Sequence, residues 1–155
     1  MVVSLQDETD LENQKINLKE VAAMLAEKGV QHRQIATSDA DESELRGKLP
    51  KAVALFANEI ASAAPEGGVY VHCNGGRGRA PTIVAAYYFW LGGMTLQEAV
   101  STVQAARKSS PKVGVISGAT VDILGGSVTA EHVEDEGLTV EERAAVEAYV
   151  KAQAA

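Results

Sequence analysis

Short apolar runs alternate along the chain with longer stretches in which apolar residues recur at helical spacing. Residues 2–5 (VVSL) read as a short buried strand, and the acidic stretch from Gln6 to Asp10 as the loop that leaves it. Asn17 is suited to cap a helix, with Glu20 three positions later and Leu18, Val21, Ala22 and Leu25 on one face, and Gly29 ends it. Residues 30–36 alternate enough for a second strand. A polar loop with four carboxylates follows at 37–44. The pair Leu49-Pro50 then predicts the opening of a helix that runs through Val53, Phe56, Ala57 and Ile60 to about Ala64. Pro65-Glu66-Gly67-Gly68 turns the chain into a third apolar run, GVYV, and an apolar helix is expected from Ala80 to about Trp90. Gly92-Gly93 breaks it. Thr95 and Glu98 have capping-box spacing for a helix to about Lys108, Ser110-Pro111 turns the chain, and 115–124 reads as helical. The segment 126–138 is polar and reads as a linker, and Thr139 with Glu142 caps a last helix within 139–155. That helix either packs on the domain or serves a partner; the pattern favours neither. Strands alternating with helices predict an α/β architecture with a mainly parallel sheet, and residues 1–125 form its single catalytic-size domain.

The third run ends in chemistry. His72-Cys73-Asn74-Gly75-Gly76-Arg77-Gly78-Arg79 places an arginine after a cysteine and five intervening residues, between an expected strand and an expected helix. A glycine-rich loop of this length can turn its backbone N–H groups inward around a tetrahedral anion. The helix that follows adds the positive end of its dipole at the same point. Arg79 supplies a planar fork that matches two phosphate oxygens, and the combined field favours a cysteine thiolate as nucleophile. The residues therefore predict Cys73 as nucleophile, Arg79 as phosphate clamp, and Asn74, Gly75, Gly76, Arg77 and Gly78 as the cradle.

Composition narrows the partners. The net charge of −7 argues against a nucleic-acid surface, whereas a phosphate-bearing substrate needs only the local positive field of the loop, with Arg46 and Lys48 expected nearby. No apolar run is long enough to span a membrane, and the start MVVSLQDETD resembles neither a signal nor a transit peptide. A single cysteine excludes an intrachain disulfide and suits a soluble protein of a reducing compartment. His32 and His132 lack any ligand pattern, so no metal and no cofactor are expected.

Attack of a thiolate on a phosphate monoester needs an acid for the departing oxygen. The carboxylates from Asp39 to Glu44 leave a strand expected to lie beside the catalytic one. The pattern does not choose among them, and a solvated charge run is the plain alternative.

The chain resembles the dual-specificity phosphatases, and within them the plant plastidic phosphoglucan phosphatases of the starch-excess type, relatives of laforin. The matching stretches are Ser4-Leu5-Gln6-Asp7 with Asp10-Leu11-Glu12, Asp39-x-Asp41, Leu45-Arg46-x-Lys48-Leu49-Pro50 and Tyr70-Val71-His72-Cys73. They continue with Gly76-x-Gly78-Arg79-Ala80-Pro81, Phe89-Trp90, Pro111-Lys112 and Ala119-Thr120-Val121-Asp122-Ile123-Leu124. The resemblance implies a dual-specificity/tyrosine-phosphatase-like sandwich and hydrolysis through a phosphocysteine. The implied substrate is phosphoglucan or phosphoprotein, and the implied compartment is the chloroplast stroma, with the cytoplasm as alternative. Aligning Leu-Arg-x-Lys-Leu-Pro places the general acid at Asp39, whereas counting back from Cys73 gives Asp41. His72 is expected to shape the site by hydrogen bonding. Where the glucan enzymes carry sugar-stacking aromatics, this chain has Gln14, Ala40 and Ser110. It also begins inside the family's catalytic domain, so the first strand and recognition segment are expected to be missing and one sheet edge exposed. A non-catalytic phosphate-binding scaffold is the rival function.

Overall fold

The computed structural model describes residues 1–63 and 65–154. Three strands, β1 (Val2–Ser4), β2 (His32–Gln34) and β3 (Tyr70–His72), form a parallel sheet in the order β2-β1-β3. Ser4 pairs with Gln34 on one side and with His72 on the other, so all three strands end at one level. Parallel neighbours need crossover connections. Helices α1 (Glu8–Gln14) and α2 (Leu18–Glu27) supply the first crossover and α3 (Glu42–Ser62) the second. Helices α4 (Arg79–Trp90), α5 (Leu96–Ala106), α6 (Val113–Ile123), α7 (Ala130–Asp135) and α8 (Val140–Ala152) follow β3. The α/β class with a parallel, helix-flanked sheet is thus the one expected, and among the described residues β2 and β3 each pair on one side, with β1.

The core is assembled mainly from helices. Leu49 and Val53 of α3, Ile83, Phe89 and Trp90 of α4, and Ile116 of α6 are essentially inaccessible. The aromatic run of α4 serves packing, as its position suggests. Phe56 meets Tyr87 edge-to-face with centroids 5.3 Å apart, and the Trp90 indole N–H donates to Thr120 Oγ1 at 2.9 Å.

Three expectations are corrected. The stretch Gln6 to Asp10 is only in part a loop. Asp7 accepts from the Asp10 N–H and the Asp10 carboxylate accepts from the Asp7 N–H, a capping box that starts α1 at Glu8. Helix α3 does not open at Leu49-Pro50. Asp41 caps it by accepting from the Glu44 N–H at 2.9 Å, and Pro50 lies buried within the helix. Burial of the surrounding apolar face outweighs the backbone bond that proline forfeits. The expected end of this helix at Ala64 lies outside the described residues, as does the last residue of the 139–155 segment, Ala155. The stretch 126–138 is not a bare linker. It holds α7, capped by Thr129, with Val133 fully buried and Glu134 accepting from Ser117 Oγ at 2.6 Å.

The last helix packs on the domain. Val146 and Val150 of α8 are fully buried, and the Arg143 guanidinium donates to the carbonyls of Phe89 and Met94 while lying over the Phe89 ring. Gly118 in α6 has a packing reason, because a Cβ there would meet the Arg46 guanidinium at 2.7 Å.

Candidate active site

Because the three parallel strands end level, the chain segments leaving them converge at one end of the sheet. That end is where ligands sit in parallel α/β folds. Asp10 follows β1, Asp39 follows β2, and Cys73 with its loop follows β3. The topology brings together groups as far as 74 positions apart in sequence.

Cys73 is buried at the end of β3, and Gly78 precedes the first turn of α4 with no side-chain cap on that turn. The loop between them shows an asymmetry. Its carbonyls point at protein donors: Gly75 O accepts from Arg107 Nη2 at 3.2 Å, Arg77 O from the Ser110 N–H at 2.7 Å, and Gly78 O from Thr82 Oγ1 at 2.8 Å. Among the described residues, the N–H groups of 74–80 have no protein acceptor. Gly76 permits the turn with φ +62°, and the Arg107 guanidinium lies 3.0 Å from where its Cβ would stand. Thr82 also accepts from the Lys112 N–H at 2.8 Å, which ties the start of α4 to the approach of α6. Outward carbonyls and unpaired amides make the loop a concave donor surface.

Arg79, the residue that follows this loop, is 1% exposed. Its Nη1 donates to Asp10 Oδ2 at 2.6 Å, to Thr37 O at 2.6 Å and to Leu5 O at 3.3 Å. Asp39 Oδ1 stands 2.9 Å from Arg79 Nε, close enough for an ion pair but not aligned for a hydrogen bond. Nε and Nη2 are therefore buried donors without an acceptor. Such groups are rare and point to a missing ligand. Burial alone lowers the tendency of Arg79 to hold its proton. The Asp10 hydrogen bond and the charges of Asp39, Asp10 and Cys73 more than reverse this, and its pKa is raised. For Asp10, burial pushes the carboxyl up. Hydrogen bonds from Arg79, the Asp7 backbone and Asn74, with the Arg79 charge, outweigh it and hold the group below its ordinary 3.8.

Of the residues read from the sequence, Cys73, Arg79, Asp39 and the loop 74–78 are brought together. Asp41 is instead occupied as the cap of α3. His72 places Nδ1 3.2 Å from Cys73 O and stacks on Tyr70, in keeping with a shaping contact. Arg46 and Lys48, expected near the loop, are engaged elsewhere: Arg46 with Asp122, Lys48 with Glu44 and Ala36 O. Asp10 and Gln6 went unassigned in the sequence, yet Asp10 binds both Arg79 and Asn74, and Gln6 Nε2 donates to Asn74 Oδ1 at 2.7 Å. The Asp7-x-x-Asp10 spacing was the available signal, since a capping box there sets Asp10 just past the end of β1.

The model of the dual specificity phosphatase catalytic domain matches residues 4–116. The chain belongs to the dual specificity phosphatase family. It is 41% identical over 98 residues to a protein of Castanea sativa named phosphoglucan phosphatase DSP4, amyloplastic, covering 63% of this chain and 25% of that one. It is 43% identical over 56 residues to human dual specificity protein phosphatase 13B, covering 36% of this chain and 28% of that one. This dual specificity phosphatase chain thus matches about a quarter of the length of these curated relatives. Its fold is that of the crystal structure of PTPMT1, at a TM-score of 0.56 and 19% identity, covering 98% of this chain and 76% of that one. A second structure, of PTPMT1 in complex with PI(5)P, gives the same figures.

Proposed function

We propose that the chain hydrolyses phosphate monoesters through a phosphocysteine at Cys73. The carrying observation is the buried Nη2 of Arg79, which has no acceptor, with Nε facing only the misaligned carboxylate of Asp39, beside a loop whose amides also lack acceptors. A phosphoryl group satisfies both sets at once, with the Arg79 fork binding two oxygens and the amides of 74–78 the rest.

In the first step the Cys73 thiolate attacks phosphorus, the P–O bond to the alcohol breaks, and the Asp39 carboxyl gives its proton to the departing oxygen. In the second, Asp39 as carboxylate takes a proton from water. The water oxygen bonds to phosphorus, the S–P bond breaks, and phosphate leaves with the thiolate restored. Two features support Asp39 over Asp41. Asp39 stands at the site, 2.9 Å from Arg79 Nε, and is 66% exposed where a leaving group would depart, whereas Asp41 is bound as a helix cap.

Phosphorylated glucan is the substrate favoured by the identity to the chestnut enzyme, and a plastid location belongs to the same reading. A protein phosphatase is the second reading, favoured by the residues bordering the loop. Gln14 shares a depression with Cys73 and Asn74, Ala40 follows Asp39, and the Ser110 N–H binds Arg77 O, so none offers a ring for a sugar face. The test is phosphate release from phosphorylated amylopectin, phosphotyrosine and phosphoserine peptides, and p-nitrophenyl phosphate. Release from amylopectin, lost in Cys73→Ser, is the expected result. Cysteine-dependent release from peptides but not amylopectin selects the second reading. A folded sample that binds phosphate and turns over nothing makes the chain a scaffold.

A further inference from the structure

Arg79 is held from behind by a side chain that the hydrolytic steps do not use. Asp10 is 8% exposed and divides its carboxylate between two elements of the site. Oδ2 accepts from Arg79 Nη1, and Oδ1 accepts from Asn74 Nδ2, the first side chain of the loop. Its rear is anchored, since Oδ2 also accepts from the Asp7 N–H at 3.1 Å within the capping box. Asn74 is held from its other side by Gln6, whose backbone carbonyl accepts from Gln34 Nε2 at 2.9 Å. One carboxylate therefore couples the start of α1, just past β1, to the loop and to its arginine, while Gln34 and Gln6 tie the end of β2 to Asn74.

A guanidinium is planar, so fixing Nη1 against Asp10 and Thr37 O sets the direction in which the Nε–Nη2 edge faces. That edge is the one without hydrogen-bond acceptors. If the ion pair served the fold alone, the whole buried fork would be expected to find partners, as buried donors do. Here every hydrogen bond falls on one nitrogen, and the opposite edge faces only the misaligned, exposed carboxylate of Asp39. The two acidic partners also differ in kind. Asp39 meets Arg79 from the exposed side, where an incoming anion can displace it, and Asp10 meets it from the buried side, where none can reach.

We propose that Asp10 is a positioning residue of the phosphate seat, aiming the Nε–Nη2 edge of Arg79 and the start of the Cys73 loop at the same anion. The proposal rests on the reading of that loop as a phosphate site. It is specific to orientation, so its signature is a loss of oxyanion affinity and turnover separate from any loss of stability.

The test uses the full chain, tungstate as a tetrahedral dianion and p-nitrophenyl phosphate as substrate. Asp10→Asn keeps the side-chain shape and removes the charge that fixes Nη1. It is expected to lower kcat/KM and weaken tungstate binding, by about a hundredfold for a misplaced catalytic group. Thr139→Ala is the control: it removes the cap of α8, where Thr139 Oγ1 accepts from the Glu142 N–H, and touches neither Asp10, Arg79 nor the loop. It is expected to lower the melting temperature and leave tungstate affinity unchanged. Tungstate affinity in Asp10→Asn equal to that in Thr139→Ala, at a temperature where both are folded, overturns the proposal while leaving the phosphate seat intact. Should Asp10→Asn fail to fold, Asp10→Glu keeps the charge and shifts the contact by one methylene. Weakened tungstate binding in that folded variant supports positioning, and unchanged binding refutes it. A wild-type chain that binds no tungstate overturns the phosphate seat itself, and the role of Asp10 with it.

Discussion

At the scale of single residues, the proposed mechanism gives two aspartates two positions apart different work, and substitution separates them. Asp39→Ala is expected to slow phosphoryl transfer to Cys73 from esters with poor leaving groups by about 10²–10⁴-fold while sparing that step for activated aryl phosphates, because only the former need a proton in its transition state; hydrolysis of the phosphocysteine, where Asp39 is the base, slows for both. Asp41→Ala is expected to remove the cap of α3, costing about 1 kcal/mol, with no dependence on the leaving group. Rates over a series of aryl and alkyl phosphates, set beside denaturant melts, check both. Arg79→Lys keeps the charge but loses the planar fork, so both phosphate affinity and turnover are expected to fall. Asp10 gives the fold a pH dependence. Its folded pKa lies below the ordinary 3.8, so the unfolded chain takes up this proton first as pH falls. The stability it contributes is complete above the unfolded value and is lost as pH falls through the folded one. Denaturant midpoints measured from pH 5 downward are expected to decline in the wild type and to decline less in Asp10→Asn, whose side chain does not titrate.

At the scale of elements, each part of the site takes its place from a strand end and a cap. The loop 74–78 is held by outward bonds from Arg107, Ser110 and Thr82, which lie just past the end of α5, on the segment before α6 and on α4, so helix packing shapes the proposed anion seat. Helix α8 closes the far side through Val146 and Val150. Val150→Ala deletes buried methyl groups and is expected to cost about 1.5–3 kcal/mol, read as a lowered denaturant midpoint with an unchanged slope. What was legible in the sequence divides along the same lines. Caps at Asn17, Thr95 and Thr139 and the break at Gly92-Gly93 are local signals, and the elements they bound are present as read. Pro50 misled because proline favours a helix's first turn, while the cap that starts α3 is Asp41, nine positions earlier in a stretch that read as a charged loop. Helix α7 was hidden because its single core residue, Val133, gives no periodicity.

At the scale of the whole molecule, the parallel register makes one site out of three strand ends. Cys73 and Arg79 were readable because their spacing is contiguous and carries its own chemistry. Asp39 was readable through the resemblance, in the company of Asp41. Asp10 was not, because its contact with Arg79 spans 69 positions and exists only once β1 lies beside β3. No helix among the described residues is long and apolar enough to cross a membrane. The overall charge of −7 leaves the positive field to be made locally, by Arg79 and the unpaired amides at the head of α4. The account stands on Cys73 carrying the phosphoryl group between the two steps. The direct measurement is to quench the wild-type chain, the Asp39→Ala variant and Cys73→Ser in acid during turnover of p-nitrophenyl phosphate and map the phosphorylated residue by mass spectrometry. The account predicts one phosphoryl group on Cys73 in the first two and none in Cys73→Ser, which also releases no phosphate. Turnover that persists in Cys73→Ser, or a phosphoryl group found on another residue, would contradict it.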